Sequence, residues 1–409
     1  MTQRVVVTGI AGVTSLGDSW ARIREGFETR RSGVVYMPDW AVYEDMHTRL
    51  GAPVSDFVVP KHFDRKVRRT MGRVAIMAVA TAERAVANAG LTGHVVLSDG
   101  RTGVAYGSST GSTDAVREFG AMLLNHNLQN INSTTYLRMM AHTAPVNIAI
   151  YFGAKGRVVT TSSACTSGSQ GIGYGYEAIK FNRQDVMIAG GAEELCPTEA
   201  AVFDTLFATS TKNAAPSTTP RPFDAARDGL VVGEGACTFV LESLEHAQLR
   251  GAPIVAEIVG FGTNCDGEHA TRPNHATMRR AMELALADAN LAPGQIGYVN
   301  AHGTATQHGD IAESRATSDL FGPRMPISSL KGHFGHTMGA CGAIEAWLAI
   351  EMMNCDWYAP TLNLANVDEH CAALDYIKDS GRAFSSEYVM NNNFAFGGIN
   401  TSLIFKRWS

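Results

Sequence analysis

At 409 residues, the chain is long enough for two domains or two fused halves, each with its own core. Apolar residues make up 45% and charged residues 18%, with 41 glycines, a composition typical of a compact α/β protein that excludes a disordered or fibrous one. The formal charge of −5 argues against a general affinity for nucleic acid. No apolar run is long enough to span a bilayer, so we expect no membrane association and a cytoplasmic location.

The hydrophobic pattern alternates between buried strands and amphipathic helices, and it does so twice. In the first half, residues 4–9 ("RVVVTG") predict a strand, 75–91 an Ala-rich helix ending near Gly90, and "TGVAYGSSTGS" a strand that enters a loop. In the second half, "PIVAEIVGFG" predicts a strand, 277–291 a helix, and "IGYVNAHGT" a strand that enters a loop. The helix ends "AVANAGL" and "ALADANL" are alike, which favours a duplicated unit over chance similarity between Ala-rich helices.

The duplication predicts a first half over residues 1–250 and a second over 251–409, packed as one body. Extra loop and helix are expected between residues 112 and 155. No low-complexity linker separates the halves, and we interpret the turn-rich segment "NAAPSTTPRPFD", residues 213–224, as a surface loop.

The N-terminal segment "VVVTGIAGVTSLG" has some features of a dinucleotide-binding turn. It follows a strand and contains Gly9, Gly12 and Gly17. Their spacing does not match GxGxxG, and no acidic residue stands about twenty positions on at the end of a second strand. The segment therefore does not favour a nicotinamide enzyme.

The seven cysteines are an odd number without CxxC spacing, which argues against a disulfide framework or a zinc site. Cys165 alone stands among small and hydroxylated residues, in "TTSSACTSGSQGIG". A strand-like segment before it and helical spacing after it predict a strand-to-helix turn, where helical N–H groups favour the thiolate. Small neighbours would let a substrate carbonyl approach and let backbone amides hold an oxyanion. We expect a nucleophile here, and buried structural thiols at the other cysteines.

Two clusters in the second half supply partners for a nucleophilic thiol. "NAHGTATQHGD" carries His302 directly after a predicted strand, and "SSLKGHFGHTMGACGAIEAW" carries Lys331, His333, His336 and Glu345. Histidines at glycine-flanked strand exits favour catalysis over packing. Metal ligation by the last two histidines is the alternative, but the nearby acids lie outside standard ligand spacing, so no metal site is predicted.

Four segments together resemble the active-site motifs of the β-ketoacyl-acyl carrier protein synthases of the elongating (type II) class. They are "SSACTSG", "NAHGTAT", "SSLKGHFGHTMGACGAIE" and "NNNFAFGGINTSLIF", and they occur in the family's order. The resemblance extends from "RVVVTG" to the last strand and covers essentially the whole chain. Four spaced motifs in one order are more specific than any one of them.

The resemblance implies an α/β, thiolase-like fold with two duplicated halves in a five-layer αβαβα arrangement, normally a dimer. The implied reaction is a decarboxylative Claisen condensation of a malonyl thioester with an acyl group held on Cys165, in fatty-acid or polyketide synthesis. Substrates would be carried on the phosphopantetheine of an acyl carrier protein, and no cofactor or metal is expected.

The resemblance also implies roles for individual residues. The implied catalytic residues are Cys165, His302, His336, Lys331, Glu345 and Phe396, and the implied substrate-binding residues are Thr304, Thr306, Thr110, Phe394, Asp266 and Thr271. The Phe396 and Cys165 N–H groups would form an oxyanion hole, and neutral His302 and His336 would donate Nε2–H to an enolate. Ala395 departs from the usual glycine of the gating loop. Thr110 stands where an apolar residue is usual, which predicts a more polar acyl pocket suited to unsaturated or polyketide-like chains.

An acyl carrier protein is the implied partner, together with a second subunit in a homodimer or in a heterodimer with a ketosynthase-like chain. Carrier proteins are strongly acidic, so basic side chains are the predicted docking contacts. They are Arg65, Lys66, Arg68, Arg69 and Lys212. The alternative for the basic segment "FDRKVRRTMGR" is a solvated helix face.

Two alternatives to a condensing enzyme remain open at this stage. A non-catalytic, chain-length-determining partner subunit would lack the nucleophile, so Cys165 argues against it. A cysteine thioester hydrolase would use the same thiol without needing malonyl thioester. Having histidine at both 302 and 336 separates the chain from initiating and chalcone-type relatives, which carry asparagine at the second position. Thiolases carry a second reactive cysteine near the C-terminal glycine loop, and this chain has none there.

Overall fold

The computed structural model describes residues 2–409. Its strands are β1 (Val5–Val13), β2 (Val35–Tyr36), β3 (Leu50–Ala52), β4 (Thr102–Gly107), β5 (Val158–Thr161), β6 (Val186–Glu193), β7 (Val232–Gly233), β8 (Gly235–Ser243), β9 (Ala256–Cys265), β10 (Ile296–Asn300), β11 (Pro326–Ser328), β12 (Trp357–Tyr358), β13 (Asp375–Tyr376), β14 (Arg382–Ala383), β15 (Tyr388–Phe394) and β16 (Ile399–Arg407). Its α-helices are α1 (Trp20–Glu28), α2 (Arg65–Arg68), α3 (Arg73–Asn88), α4 (Thr113–Asn125), α5 (Ser133–Met139), α6 (Thr143–Phe152), α7 (Ser167–Lys180), α8 (Pro197–Asp204), α9 (Leu244–Leu249), α10 (His275–Ala289), α11 (Gln307–Phe321), α12 (Lys331–Phe334) and α13 (Cys341–Asn354). Within residues 2–409, no helix is both long enough and apolar enough to cross a membrane.

The strand order confirms the predicted duplication. The first half orders its strands β5-β4-β6-β8-β1, and the second orders them β11-β10-β15-β16-β9. When the five strands of each set are numbered in chain order, both sets have the spatial order 3-2-4-5-1. In both, the first two neighbouring pairs are parallel and the last two are antiparallel. The sets join where Val5–Val7 of β1 pairs with Ala256–Ile258 of β9. The predicted division at residue 250 falls between α9 and β9 and stays a prediction.

The helices form three layers around the two strand sets, as the five-layer fold requires. Helices α7 and α13 contact each other and strands of both halves, whereas α3 and α6 cover the first half outside and α10 and α11 the second. Close packing in the middle layer depends on glycine. A Cβ at Gly168 of α7 would lie 2.9 Å from the Ala343 nitrogen of α13, and one at Gly171 would lie 2.5 Å from the Gly190 oxygen of β6.

The two predicted long helices occur as α3 and α10, and their similar ends have a common cause. Gly90, with φ +69°, and Asn290, with φ +53°, both adopt the left-handed conformation that commonly ends a helix. The glycines of the N-terminal segment serve packing inside β1. A Cβ at Gly9 would lie 2.2 Å from the Ala85 oxygen, and one at Gly12 would meet the ring of Trp347 at 2.5 Å.

The two irregular segments had different outcomes. The segment 112–155 contains the expected extra helix and loop, as the three helices α4, α5 and α6 with loops between them. The expectation for the second segment was wrong in part. The segment 213–224 begins at the surface but ends buried, because Phe223 is 0% exposed and its ring lies 5.1 Å from that of Tyr376. The Phe223 N–H also donates to Asp310 Oδ2 at 2.7 Å, which ties this segment to the start of α11.

Candidate active site

Cys165 lies, as predicted, in the turn between β5 and α7, and it is buried. The expectation of buried thiols at the other six cysteines was wrong for Cys265 and Cys355, which are exposed, and for the half-buried Cys196. The preceding Ala164 has φ +51°, a conformation uncommon outside glycine. The hydroxylated neighbours pair with the backbone of this tight turn: Ser167 Oγ accepts the Ser163 N–H at 3.0 Å, and Thr166 Oγ1 donates to the Ser163 carbonyl at 2.7 Å. The small residues around the thiol therefore hold the turn in shape, a purpose the sequence analysis did not assign to them.

Two histidines converge on this sulfur from the second half. His336 Nε2 lies 3.0 Å from Cys165 Sγ, and a His302 ring nitrogen lies within 4.8 Å of both. The two imidazole rings are 5.1 Å apart and nearly perpendicular. His336 Nδ1 accepts the Met338 N–H at 3.2 Å, so its proton must be on Nε2, which faces the sulfur.

A buried ion pair lies behind His302. Lys331 is paired with Glu345, and both side chains are completely buried. His302 Nδ1 faces Lys331 Nζ at 3.3 Å and Asn393 Nδ2 at 3.4 Å. Both neighbours are donors, so Nδ1 accepts and the His302 proton lies on Nε2. Burial alone would lower the pKa of Lys331, but Glu345, together with Cys341 and Glu313, raises it above its usual value, so the ammonium stays charged.

Both histidines are neutral at physiological pH. Burial lowers the pKa of His302 far below its usual value, and the charge of Lys331 and the neighbouring His336 lower it further. Burial, followed by the charge of Lys331, has the same effect on the pKa of His336. Each ring therefore has an Nε2–H donor without a positive charge.

The expectation that Cys165 rests as a thiolate is wrong. Burial raises the pKa of the thiol to about 11, because the desolvation penalty on the charged sulfur exceeds the stabilisation of the thiolate by nearby positive groups. The Phe396 N–H, the Lys331 charge and the Cys165 N–H all act in the opposite direction. The resting form is the thiol, and the thiolate is a minor, reactive species.

The oxyanion hole that the resemblance implies stays a prediction. The backbone N–H groups of Phe396 and Cys165 both act to lower the pKa of the Cys165 thiol, so both lie near the sulfur. The Phe396 ring lies 5.4 Å from the ring of Phe203 on α8, which anchors the loop after β15. An oxygen bonded to the carbon that Cys165 attacks would come within reach of both donors.

A cavity of about 550 Å³ opens over the sulfur. Its lining includes Cys165, His302, His336 and Phe396, and five of the six predicted substrate-binding residues, namely Thr304, Thr306, Phe394, Asp266 and Thr271. Thr304 Oγ1 and Thr306 Oγ1 are 2.9 Å apart on one wall. Thr110 does not line this cavity; its hydroxyl instead lies 3.4 Å from Glu199 Oε1, and its substrate role stays a prediction.

The predicted docking residues lie outside this cavity. Arg65, Lys66, Arg68 and Arg69 lie on α2 and just after it, all exposed, and none of their side chains has an ion-pair partner within residues 2–409. Lys212 differs, since its Nζ lies 3.5 Å from Asp228, which lines the cavity wall. Their docking role stays a prediction.

The structure supplies an explanation for His333. Its Nδ1 lies 3.1 Å from the Arg31 carbonyl and its Nε2 3.2 Å from the Pro360 carbonyl, while its ring packs 4.6 Å from that of Phe27. Burial lowers its pKa to about 4. The neutral ring has one N–H, so one of these two contacts is its hydrogen bond. His333 therefore joins an N-terminal loop to the second half, with both ring nitrogens facing backbone carbonyls.

Two groups of side chains have the donor types for a metal. They are Cys165, His302 and His336, and His302, Cys341 and Glu345, with the ligand atoms of each group within 4.8 Å of one another. The Lys331 ammonium lies 3.3 Å from His302 and pairs with Glu345, so its charge opposes a divalent cation in either place. The predicted lack of a metal site stays a prediction.

Sequence reasoning missed two residues that hold the site. Asn393 donates to Glu345 Oε2 at 2.7 Å, besides facing His302. Glu313 accepts the N–H groups of His302 and Gly303, each at 2.7 Å, which fixes the loop that carries the histidine. The signal for Asn393 was present, because three consecutive asparagines in a strand-like segment are unusual.

The duplicated fold and the buried cysteine with two neutral imidazoles define an enzyme with a thiol nucleophile. Family models described as "Beta-ketoacyl synthase, N-terminal domain" and "Beta-ketoacyl synthase, C-terminal domain" match residues 2–247 and 255–365. The chain belongs to the β-ketoacyl synthase family, which confirms the family resemblance, the thiolase-like fold and the assignment as an acyltransferase.

Individual relatives agree along the whole chain. The 3-oxoacyl-[acyl-carrier-protein] synthase 1 of Haemophilus influenzae is 36% identical over 100% of both chains. A β-ketoacyl synthase from Burkholderia phymatum has a crystal structure that is 58% identical, with a TM-score of 0.98 and 100% of both chains covered. The ishigamide ketosynthase/chain length factor is 30% identical, with a TM-score of 0.90 over 100% of both chains.

Proposed function

We propose that this protein condenses a malonyl thioester with an acyl group held on Cys165, both delivered by an acyl carrier protein. The observation that carries the proposal is the convergence of two neutral imidazoles, those of His302 and His336, on one buried sulfur. A hydrolase would need a group that activates water, and both imidazoles here have the accepting nitrogen turned away from the cavity. The geometry favours a site that stabilises negative charge on oxygen or sulfur.

In the first half-reaction, the Cys165 thiolate attacks the carbonyl carbon of an acyl thioester. The tetrahedral oxyanion accepts the N–H groups of Cys165 and Phe396, and the pantetheine thiolate leaves and takes a proton from water. The His336 Nε2–H, 3.0 Å from the sulfur, stabilises the thiolate before the attack. The charged Lys331 adds to this stabilisation.

In the second half-reaction, a malonyl thioester enters the same cavity and loses carbon dioxide. The electron pair of the broken carbon–carbon bond forms an enolate, whose oxygen accepts Nε2–H from His302 and His336. The enolate carbon then attacks the acyl carbon on Cys165, and the thiolate leaves. No step uses a metal or an organic cofactor, because the donors and the nucleophile all belong to the chain.

We assign the remaining predicted residues accordingly. Thr304 and Thr306 line the cavity with their hydroxyls and would hold the amide groups of the phosphopantetheine arm. The unpaired basic residues at α2 would meet the acidic carrier protein. The relatives include a ketosynthase/chain length factor, so we propose that this chain works as a dimer with its own copy or with a related subunit. All seven cysteines are free, which fits a reducing cytoplasm.

Intact-protein mass spectrometry tests the proposal. The purified chain is mixed with an acyl-carrier thioester and then with malonyl-carrier. We expect an acyl adduct on Cys165 that persists in buffer and disappears only when malonyl-carrier is added, with a 3-oxoacyl product. Loss of the adduct without malonyl-carrier, as free acid, would show a hydrolase, and the lack of any adduct would show a non-catalytic subunit.

A further inference from the structure

Five glutamates of the first half are buried: Glu193, Glu194, Glu199, Glu234 and Glu242. Four of them have partners for both carboxylate oxygens. Glu193 accepts N–H groups from Ser109 and Gly339, and Glu194 accepts them from Val74 and Thr113. Glu234 pairs with Arg73, and Glu242 pairs with Arg250. The fifth, Glu199, is 5% exposed, and within residues 2–409 its Oε2 has no hydrogen-bond partner.

Glu199 is therefore a buried carboxyl group that lacks a partner. Burial, and then the charge of Glu193, raise its pKa well above the usual range, so the group carries a proton. A protonated carboxyl group is both a donor and an acceptor. Among residues 2–409, the hydrogen-bond partner of this group is the Thr110 hydroxyl, 3.4 Å from Oε1. The mechanism described above makes no use of either group.

One route connects Glu199 to the reacting sulfur through α8. Glu199 and Phe203 are four residues apart on this helix, so they lie on the same face, one turn from each other. The Phe203 ring contacts the Phe396 ring at 5.4 Å, and the Phe396 N–H points toward Cys165 Sγ. The carboxyl group thus lies one turn of α8 from a ring that contacts Phe396.

A second set of contacts connects Glu199 to the Cys165 turn, through Thr110. Thr110 follows Ser109, whose carbonyl accepts the Ser162 hydroxyl at 3.2 Å, and Ser162 stands three residues before Cys165. Ser162 and Thr110 are both exposed, so this side is open in the single chain. Glu199 therefore lies between two segments that each lead to the cysteine turn.

Glu193 and Glu194 are the charged carboxylates close enough to act on Glu199, and both already have partners of their own. On the Phe203 side of α8 lies a hydrophobic cluster of Trp40, Met46, Ala200, Phe203, Leu230, Val232 and Met338, with Phe396 packed against it. A ligand that reaches the carboxyl group from that side must be mostly hydrocarbon and must carry one hydrogen-bonding atom for the carboxyl group. A plain hydrocarbon chain would leave the polar atom unpaired, whereas an oxygen at this depth would pair with it.

We propose that Glu199, together with Thr110, binds an oxygen atom on the acyl chain held by Cys165. This enzyme therefore elongates acyl chains that carry a hydroxyl or oxo group along their length in preference to plain saturated chains. The inference rests on the proposed function, because it requires an acyl group on Cys165, and it names the substrate class of that same site.

The test compares acyl chains of the same length that carry a hydroxyl group at different positions. The full-length protein is acylated with octanoyl-pantetheine and with its 3-, 5- and 7-hydroxyoctanoyl counterparts, and the rate of adduct formation on Cys165 is followed by intact mass spectrometry. We expect one hydroxylated isomer to be loaded about tenfold faster than octanoyl, as one added hydrogen bond would produce. Equal rates for all four thioesters would overturn the inference.

Variants of Glu199 test whether this residue causes the preference, which is measured as the ratio of the hydroxyoctanoyl to the octanoyl loading rate. Glu199→Leu is expected to bring the ratio of hydroxyoctanoyl to octanoyl loading close to one. Glu199→Gln, which keeps a donor and an acceptor at the same size, is expected to retain most of the preference even if the leucine variant folds poorly. A preference unchanged in Glu199→Leu would overturn the assignment. If no thioester acylates Cys165, the proposed function fails as well, and that outcome is distinct from equal rates.

Discussion

His336 lies with Nε2 3.0 Å from Cys165 Sγ while its Nδ1 accepts the Met338 N–H. This arrangement makes the imidazole a donor to the sulfur. It cannot act as a base through Nε2, because that nitrogen already carries the proton. Loss of the thiol proton must therefore be coupled to solvent, and the pH dependence of the thiol becomes the first measurable consequence.

The reactivity of Cys165 should rise with pH through the neutral range. Its pKa is raised to about 11 by burial, so the thiolate fraction increases about tenfold per pH unit from pH 7 upward and levels off only near that value. The measurement is the rate of alkylation by iodoacetamide between pH 6 and the onset of unfolding. Cys165→Ala supplies the background from the exposed Cys265 and Cys355. A rate that levels off below pH 8 would contradict this expectation.

Cys165→Ala should separate the two half-reactions. The variant lacks the acyl acceptor, so no acyl adduct and no condensation product should form. The donors of His302 and His336 remain, so slow release of carbon dioxide from malonyl-carrier should persist, because enolate formation does not need the sulfur. Release of labelled carbon dioxide from malonyl-carrier measures this activity. Its complete loss would show that the sulfur takes part in decarboxylation.

Replacing either His302 or His336 by alanine should slow condensation about 100- to 1,000-fold, which is the typical effect of losing one donor to an oxyanion. The two variants should differ in the first half-reaction. His336→Ala should also slow acylation of Cys165, since only this ring lies 3.0 Å from the sulfur. Single-turnover acylation and steady-state condensation, measured on the same samples, check both statements.

His333→Gln is the matched control for these histidine variants. The side chain lies between the Arg31 and Pro360 carbonyls, away from the cavity. We expect a lower midpoint of thermal unfolding, by several degrees, because a buried hydrogen bond and the contact with Phe27 are altered. The kcat of the folded fraction should stay within about twofold of wild type. A loss comparable to His302→Ala would mean that this histidine acts in catalysis.

Motif order alone was sufficient to find the five side chains that meet at the reacting centre: Cys165, His302, Lys331, His336 and Glu345. Spacing could not reveal how they are supported. Asn393 reaches Glu345 only because the register of β15 against β16 turns its side chain toward the middle layer. Register depends on pairing between distant segments, which a single sequence does not display.

The ionisation of Cys165 was mispredicted for a related reason. A helix N-terminus is visible in the sequence, and it favours a thiolate. Desolvation depends on how the layers of the folded protein pack around the sulfur, and here its effect on the pKa of Cys165 is larger than that of the neighbouring N–H groups. Thr110 illustrates the same limit, since its unusual polarity was apparent from the motif, but the buried Glu199 beside it was not.

Lys331→Met should move the acidic limb of the pH profile. The Lys331 charge lies 3.3 Å from His302 Nδ1 and helps to lower the pKa of that imidazole. Without the charge, the pKa of His302 rises, so the ring becomes protonated at a higher pH than in wild type. Activity that needs the neutral ring should then be lost at higher pH as the solution is acidified. Profiles of kcat/KM for condensation measure the shift, and an unmoved or downward-shifted limb would contradict the stated sign.

Glu345→Gln should lower the free energy of unfolding more than Lys331→Met does. It leaves the buried Lys331 ammonium without its counter-charge, and breaking a buried ion pair in this way typically costs about 3 to 5 kcal/mol. Denaturant unfolding checks the magnitude. The double variant Lys331→Met with Glu345→Gln should recover part of the loss, because no unpaired charge stays buried. A double variant less stable than Glu345→Gln alone would argue against this account.

Removing the basic residues at α2 should weaken carrier docking and leave the chemistry intact. Arg65, Lys66, Arg68 and Arg69 are exposed and unpaired within residues 2–409, so they are free to meet an acidic surface. Replacing all four by alanine should raise KM for acyl-carrier thioester about tenfold at low salt, with the difference shrinking as ionic strength rises. The kcat/KM for acyl-pantetheine, which lacks the carrier, should not change. The double variant Arg279→Ala with Arg280→Ala removes two exposed positive charges from α10 and serves as the control, and a rise in KM in proportion to those two charges would show a general effect of net charge.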